Sequence, residues 1–395
     1  MEFDFTTILD RKGKDASAVE FIPFDNVEIQ EGFSRLPMWV ADMNFATAPS
    51  VVEAILKRME HHTFGYFPVR NEYYDAIINW QKTRKGADVK REHISNEHGV
   101  LDSVAAVLNA FTTPGANVLV HAPCYVGFTG VISGIGRNLI YSDLKRDENG
   151  VWRMDYENMD MLLKKHNIHV AVLCSPHNPT GRVWEKWELE KAMEVYAAND
   201  CIVISDEIWS DIILDGHTHV PTQSVSEDAK MRTVALYAIT KTFNLAGLAC
   251  SYRIVYNKFI RDSVDRAGHG GINVLSMHAL MGAYSETGAR WVDELCQVLT
   301  QNVNYTCDYV NDRFDGVSVA RGEGTYMLYL DCGDWIRNHP GVDMDELLRR
   351  GYRVGVIWQD GRGFKMDNTI RLNVALPFEL VKEAMDRLDK YVFNA

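Results

Sequence analysis

The sequence has no apolar run approaching the roughly 18 residues that a membrane-crossing helix needs, so a bundle of membrane helices is excluded. It has no CxxC pair. Its seven cysteines (positions 124, 174, 201, 250, 296, 307 and 332) are odd in number and scattered, several of them inside apolar runs. Neither a zinc ribbon nor a disulfide framework is expected, and the thiols read as reduced core residues of a cytoplasmic protein. Positive charge is short: 41 Lys and Arg stand against 54 Asp and Glu, a net charge of −13. A face that binds nucleic acid should be basic, so DNA or RNA is not an expected partner. The N-terminal "MEFDFTTILDRKGKDASAVEF" is charged and lacks a signal-peptide core, so export is not expected. His61, His62, His217 and His219 fit no familiar zinc spacing and read as surface residues.

What is present is the composition of an ordinary globular protein: 395 residues, 46% hydrophobic and 24% charged. That length allows a large core and two domains. "APSVVEAILKRME" (48–60) places Ser50 and Glu53 at capping-box spacing. Val51, Val52, Ile55, Leu56 and Met59 then form one apolar helical stripe. "GVLDSVAAVLNAFTTPG" (99–115) reads as a second helix stopped by Pro-Gly. Short β-rich runs follow: "NVLV" (117–120), "NLIYSD" (138–143), "VAVLC" (170–174), "CIVIS" (201–205), "TVALYA" (233–238) and "SYRIV" (251–255). Helix-length segments such as 185–198 separate them. Strands alternating with helices predict an α/β fold with a mostly parallel sheet covered on both faces. From about residue 286 the texture changes. Long helical stretches surround "GTYMLYLDC" and "IRLNVALP", which predicts a second, α+β domain.

The residues after the strands carry the chemistry. "VAVLC" leads into "SPHNPTG" with Asn178, "CIVIS" into Asp206, and "TVALYA" into Lys241. A parallel sheet gathers such residues along its carboxyl edge, where ligands bind. An amine there is desolvated toward neutrality and becomes a nucleophile for aldehydes. A carboxylate beside it suits a pyridinium nitrogen.

"SPHNPTGRVW", "SDEIWSD" and "KTFNLAGL" resemble, in order, the signatures of fold-type I pyridoxal-phosphate enzymes, the aspartate aminotransferase superfamily. "LPMWVADMNFATAP" (36–49) and "GTYMLYLDC" (324–332) are similar to the MalY/PatB group of cystathionine β-lyases. One such piece alone would be a turn or a cap; six collinear pieces from Pro37 to Pro377 carry the resemblance. It implies a seven-stranded sheet sandwiched by helices, with an arm over 1–45 that joins the small domain. A large cofactor-binding domain over 46–285 and a small C-terminal domain over 286–395 follow. It implies pyridoxal 5'-phosphate bound covalently to Lys241, which also moves the substrate's Cα proton. Asp206 would pair with the pyridine nitrogen, Asn178 with the phenolic oxygen, and Tyr125 would stack on the ring. Gly99, Val100, Leu101 and Thr240 would receive the phosphate. Tyr66 would reach the phosphate of a neighbouring subunit in a homodimer, the alternative for this residue being a place in the core. Arg371 would grip the substrate carboxylate.

The chain also departs from the family. Asn44 stands where the group has Asp, and Trp209 follows "SDEI" where Tyr or His is common. Ala238 and Thr240 flank the lysine where serines are frequent, and Ala249 stands where many aminotransferases carry arginine. Asp102 enters the first turn of the phosphate helix. Cys124, beside the ring site, reads as a small buried hydrophobe. The implied activity is β-elimination from L-cystathionine or another cysteine S-conjugate to pyruvate, ammonia and a thiol. The alternatives are an aminotransferase with the same residues, and a cofactor-binding regulatory protein that acts through a protein partner.

Overall fold

A computed structural model describes residues 1–24 and 27–394. At its centre is a seven-stranded sheet. Its strands are β1 (Ile94–Glu97), β2 (Asn117–Ala122), β3 (Asn138–Asp143), β4 (Val170–Cys174), β5 (Ile202–Asp206), β6 (Thr233–Ala238) and β7 (Ser251–Ile254), in the order β1-β7-β6-β5-β4-β2-β3. All neighbours are parallel except β7, which runs antiparallel to both β6 and β1. The strand "SYRIV" is thus the one reversal in an otherwise parallel sheet.

Every residue of β4 and β6 is buried, as unbroken apolar runs predict for strands covered on both faces. Alternate residues separate into two cores. Val170, Val172 and Cys174 pack with Val104 and Val107 of the helix Val100–Phe111 and with Val264 of the helix Lys258–Ala267. Ala171 and Leu173 pack on the other side with Leu189 and Met193 of the helix Lys186–Ala198. The two-residue pleat therefore commits each strand to both layers.

Beyond the sheet, the 28-residue helix Glu286–Arg313 buries Trp291, Leu295, Leu299 and Val303 along one stripe. A four-stranded antiparallel sheet follows, in the order Ser318–Val319, Met327–Asp331, Thr369–Asn373, Gln359–Asp360. The N-terminal strand Leu36–Pro37 pairs in parallel with Val356–Ile357, which ties the start of the chain to this C-terminal region. Among the described residues no helix is long and apolar enough to cross a membrane. All seven cysteines are free, six of them buried.

Two sequence expectations are corrected. The helix Pro49–Met59 has no capping box: Ala48 is its N-cap, Pro49 occupies the first position, and the Ser50 hydroxyl is buried without a partner. Proline makes a capping side chain dispensable, because its missing N–H removes one unsatisfied donor. The predicted apolar stripe is also split. Val51 is buried, whereas Val52, Leu56 and Met59 are exposed. Phe64 and Tyr66 are exposed as well.

Candidate active site

β4 and β5 end in register, Cys174 opposite Asp206, and Asp206 stands opposite Leu236, two residues before β6 ends. The segments that leave these strands converge on a cavity of about 400 Å³ at the carboxyl edge. Its lining includes Gly99, Val100, Leu101, Tyr125, Asn178, Asp206, Thr240 and Lys241, all singled out in the sequence, together with Ala41, His98, Asp102, Cys174, Ile208 and Trp209. Arg371 reaches the same place from the four-stranded sheet. Its Nη1 donates to Asn178 Oδ1 at 3.1 Å, and its Nη2 donates to Trp39 O at 3.2 Å and to Gln359 Oε1. The bond to Asn178 orients that amide: with Oδ1 turned to the cation, Nδ2 is the end left to donate.

Tyr66 is the predicted residue that does not join the cavity. It stands fully exposed beside Phe64 and Phe67, so it is not a core residue. The Cys124 side chain is buried and its thiol is pushed up to about 12 by burial, which makes it inert. His219 is corrected from a surface residue. Its side chain is buried and Nε2 lies 2.9 Å from Glu207 Oε2. Among the described residues no cluster of metal-ligating side chains forms.

The electrostatics follow from burial. The Lys241 amine donates to Ala41 O at 2.8 Å. Burial, and then Arg371, depress it to about 8 against the opposing pull of Asp42 and Asp206. A lysine tuned this far carries far more free amine at neutral pH than one in water. Asp206 accepts a single hydrogen bond, from Ile208 N at 3.1 Å, and burial raises its carboxyl to about 7. Arg371 is lowered to about 10, chiefly by burial, and its Nε has no partner. These are groups that lack the counter-charges their environment calls for.

The other end of the cavity suits an anion. Gly99 is the N-cap of the helix Val100–Phe111 and supplies no capping side chain. The first-turn N–H groups are therefore left to a ligand, and the helix dipole favours negative charge there. A Cβ at Gly99 would stand 2.9 Å from Asp102 Oδ2, so glycine lets that carboxylate fold over the turn. Asn44, the departure from the family's Asp, is buried and accepts from Arg11 Nη1 at 2.8 Å, while Arg11 also pairs with Asp42 at 2.6 Å. An arginine already matched by one carboxylate needs only a neutral second acceptor.

Sequence reasoning missed Ala41 and Trp39, which act through backbone carbonyls and carry no side-chain signal. It also missed Glu207, which was legible in "SDEIW" only as part of a motif. Glu207 accepts from Tyr237 Oη (2.7 Å), His219 Nε2 (2.9 Å), Thr222 N (3.0 Å) and Ser205 Oγ (3.0 Å).

A buried amine shifted toward neutrality, a buried carboxylate at a strand end, a tyrosine and a helix N-terminus without a capping side chain line this one cavity. Comparison with known proteins gives the family. The model of the class I and II aminotransferases matches residues 38–388, and the chain belongs to that family. It is 32% identical to cystathionine beta-lyase PatB of Bacillus subtilis, over 89% of this chain and 91% of that one. It is 22% identical to the aspartate aminotransferase of Bacillus sp. strain YM-2, over 92% of each. Its fold superposes on the PLP-bound C-S lyase of Staphylococcus hominis with a TM-score of 0.89 at 28% identity, covering 98% of both chains. The chain is thus a fold-type I enzyme of the MalY/PatB group, and its cofactor is pyridoxal 5'-phosphate.

Proposed function

We propose that this protein is a carbon–sulfur β-lyase that converts L-cystathionine, or a related cysteine S-conjugate, with water to pyruvate, ammonia and a thiol. The observation that carries elimination over transamination is the difference in likeness: 32% identity to the β-lyase against 22% to the aminotransferase, at matching coverage. The cavity wall supports it, because Tyr125, Ile208 and Trp209 offer apolar surface to a thioether.

Bound in the cavity, the cofactor supplies an electron sink for the pair left at Cα. The protein's residues do the rest. Lys241 would hold the cofactor's aldehyde carbon and, once freed by substrate, would take the proton from Cα. Asp206 would keep the pyridine nitrogen charged. Asn178 would donate Nδ2 to the phenolic oxygen, and Tyr125 would pack on the ring. Gly99, Val100, Leu101 and Thr240 would hold the phosphate. Arg371, held on neutral partners, would grip the substrate carboxylate, which fixes the direction in which Cα–H points.

The chain works as a homodimer in this reading. Val52, Leu56 and Met59, exposed on the helix Pro49–Met59, and Phe64 beyond it are apolar surface that a second copy would cover, and the exposed Tyr66 would serve the partner's phosphate. In this reading the chain divides into an arm (1–45), a large domain (46–285) that carries the seven-stranded sheet and a small domain (286–395) that carries the four-stranded one. Seven free thiols suit the reducing cytoplasm. The test is to incubate the cofactor-loaded protein with L-cystathionine and no keto acid. Continuous, equal release of pyruvate and thiol supports the lyase. Turnover that requires a keto acid, with no pyruvate from any S-conjugate, replaces it with a transaminase.

A further inference from the structure

Below the phosphate-receiving turn lies a buried charge cluster that the chemistry above does not use. Arg253, on the antiparallel strand β7, is 1% exposed and Glu97, the last residue of β1, is 2% exposed. Arg253 Nη1 donates to Glu97 Oε2 at 2.8 Å and Nη2 to Asp265 Oδ1 at 2.9 Å. The other Glu97 oxygen, Oε1, accepts from the backbone N of His98 at 3.2 Å. Ser251 Oγ donates to the Glu97 carbonyl at 3.0 Å. Outside the pair, Ser95 Oγ donates to Asp265 Oδ2 at 3.1 Å. Space is kept for the carboxylate as well: a Cβ on Gly268 would stand 2.7 Å from Glu97 Oε2.

Both carboxylate oxygens and the carbonyl of Glu97 are thereby held, and the next two residues are His98 and Gly99. A buried ion pair adds little stability over a well-packed apolar substitute, so what distinguishes this one is the geometry it imposes. Its carboxylate bonds the N–H immediately before Gly99, and so sets the direction in which the chain enters the helix Val100–Phe111.

We propose that Glu97 and Arg253 are positioning residues for the phosphate end of the cofactor, holding the 98–99 turn so that the N–H groups of Gly99, Val100 and Leu101 converge on the anion. This rests on the reading that these residues receive the phosphate. It makes the reversed strand β7 a functional part of the sheet: only a strand whose first residues lie at the carboxyl edge brings Ser251 opposite Glu97 and Arg253 one turn of pleat below it.

The test compares two probes on the full-length apoprotein: pyridoxal phosphate, and pyridoxal, which lacks the phosphate. Their dissociation constants are measured by absorbance for wild type, Glu97→Gln and Asp265→Asn. The expected result for Glu97→Gln is a loss of roughly tenfold to a hundredfold for pyridoxal phosphate, the size of one charge-assisted contact, with pyridoxal unchanged. Asp265→Asn, which loosens Arg253 from its solvent side, gives the same selectivity at a smaller size and serves if Glu97→Gln does not fold. Equal losses for both probes would mean that the pair merely supports the fold, and no loss for either would mean that the turn is set without it; each overturns the proposal. A wild type that binds neither probe would instead refute the cofactor reading.

Discussion

Two carboxylates stand side by side at the end of β5 and live in opposite surroundings. Asp206 faces the cavity with one hydrogen bond, and burial raises its carboxyl to about 7. Glu207 faces the other way. Burial pushes it up as well, but His219, Tyr237 and the N–H of Thr222 outweigh that and hold it below the ordinary range. The pleat sends consecutive side chains to opposite faces, so one strand end makes both a saturated structural anion and an unsaturated one. The contrast teaches where function lies. A buried carboxylate left with one donor is incomplete without a cationic partner, and a ligand that brings a protonatable nitrogen completes it.

Substitutions sharpen this comparison. The largest effect is expected from Lys241→Ala, which removes the amine of the cavity lining; lyase turnover should fall by at least about four orders of magnitude, measured as pyruvate release. The adjacent carboxylates should then separate function from stability. Asp206→Asn should reduce kcat by about a hundredfold or more, yet make the cofactor-free protein more stable at pH 8. The sign follows from the raised carboxyl. The folded state binds the proton more tightly than the unfolded one, so the cost of ionisation is absent below about pH 4, grows through pH 7 and is complete above it. The raised value is already net of the pull of Lys241, so the substitution relieves a cost of at most about 4 kcal/mol, read as a gain in denaturant unfolding. Glu207→Gln should do the reverse: a loss of about 3 kcal/mol in the same measurement, with kcat of the folded fraction within a few-fold of wild type. Equal behaviour of the two variants would erase the distinction. A smaller effect is expected from Arg371→Lys. Lysine keeps the charge but not the two-pronged geometry, so KM for L-cystathionine should rise about tenfold to a hundredfold, more than kcat falls.

The same comparison explains what was readable in advance. β4 and β6 announce themselves as unbroken apolar runs, because a strand covered on both faces has no polar side to show. Asn178, Asp206 and Lys241 were legible because each follows such a run, and a parallel sheet sends strand ends to one edge. The contacts that set their properties were not. Ala41 and Trp39 act through carbonyl oxygens that every residue possesses. His219 read as a surface histidine because its partner, Glu207, is twelve residues away and buried only once β6 supplies Tyr237. The stripe Val52, Leu56 and Met59 has the period of a core-facing helix, and period alone does not distinguish a face that packs on its own chain from one left for another.

The central claim is that the carboxyl edge of the sheet binds pyridoxal phosphate through Lys241. The most direct test is to load the protein with the cofactor, reduce with borohydride, digest, and locate the phosphopyridoxyl group by mass spectrometry. The account predicts one group per chain, on the peptide that contains Lys241. A label on another lysine, or none at all, would contradict it.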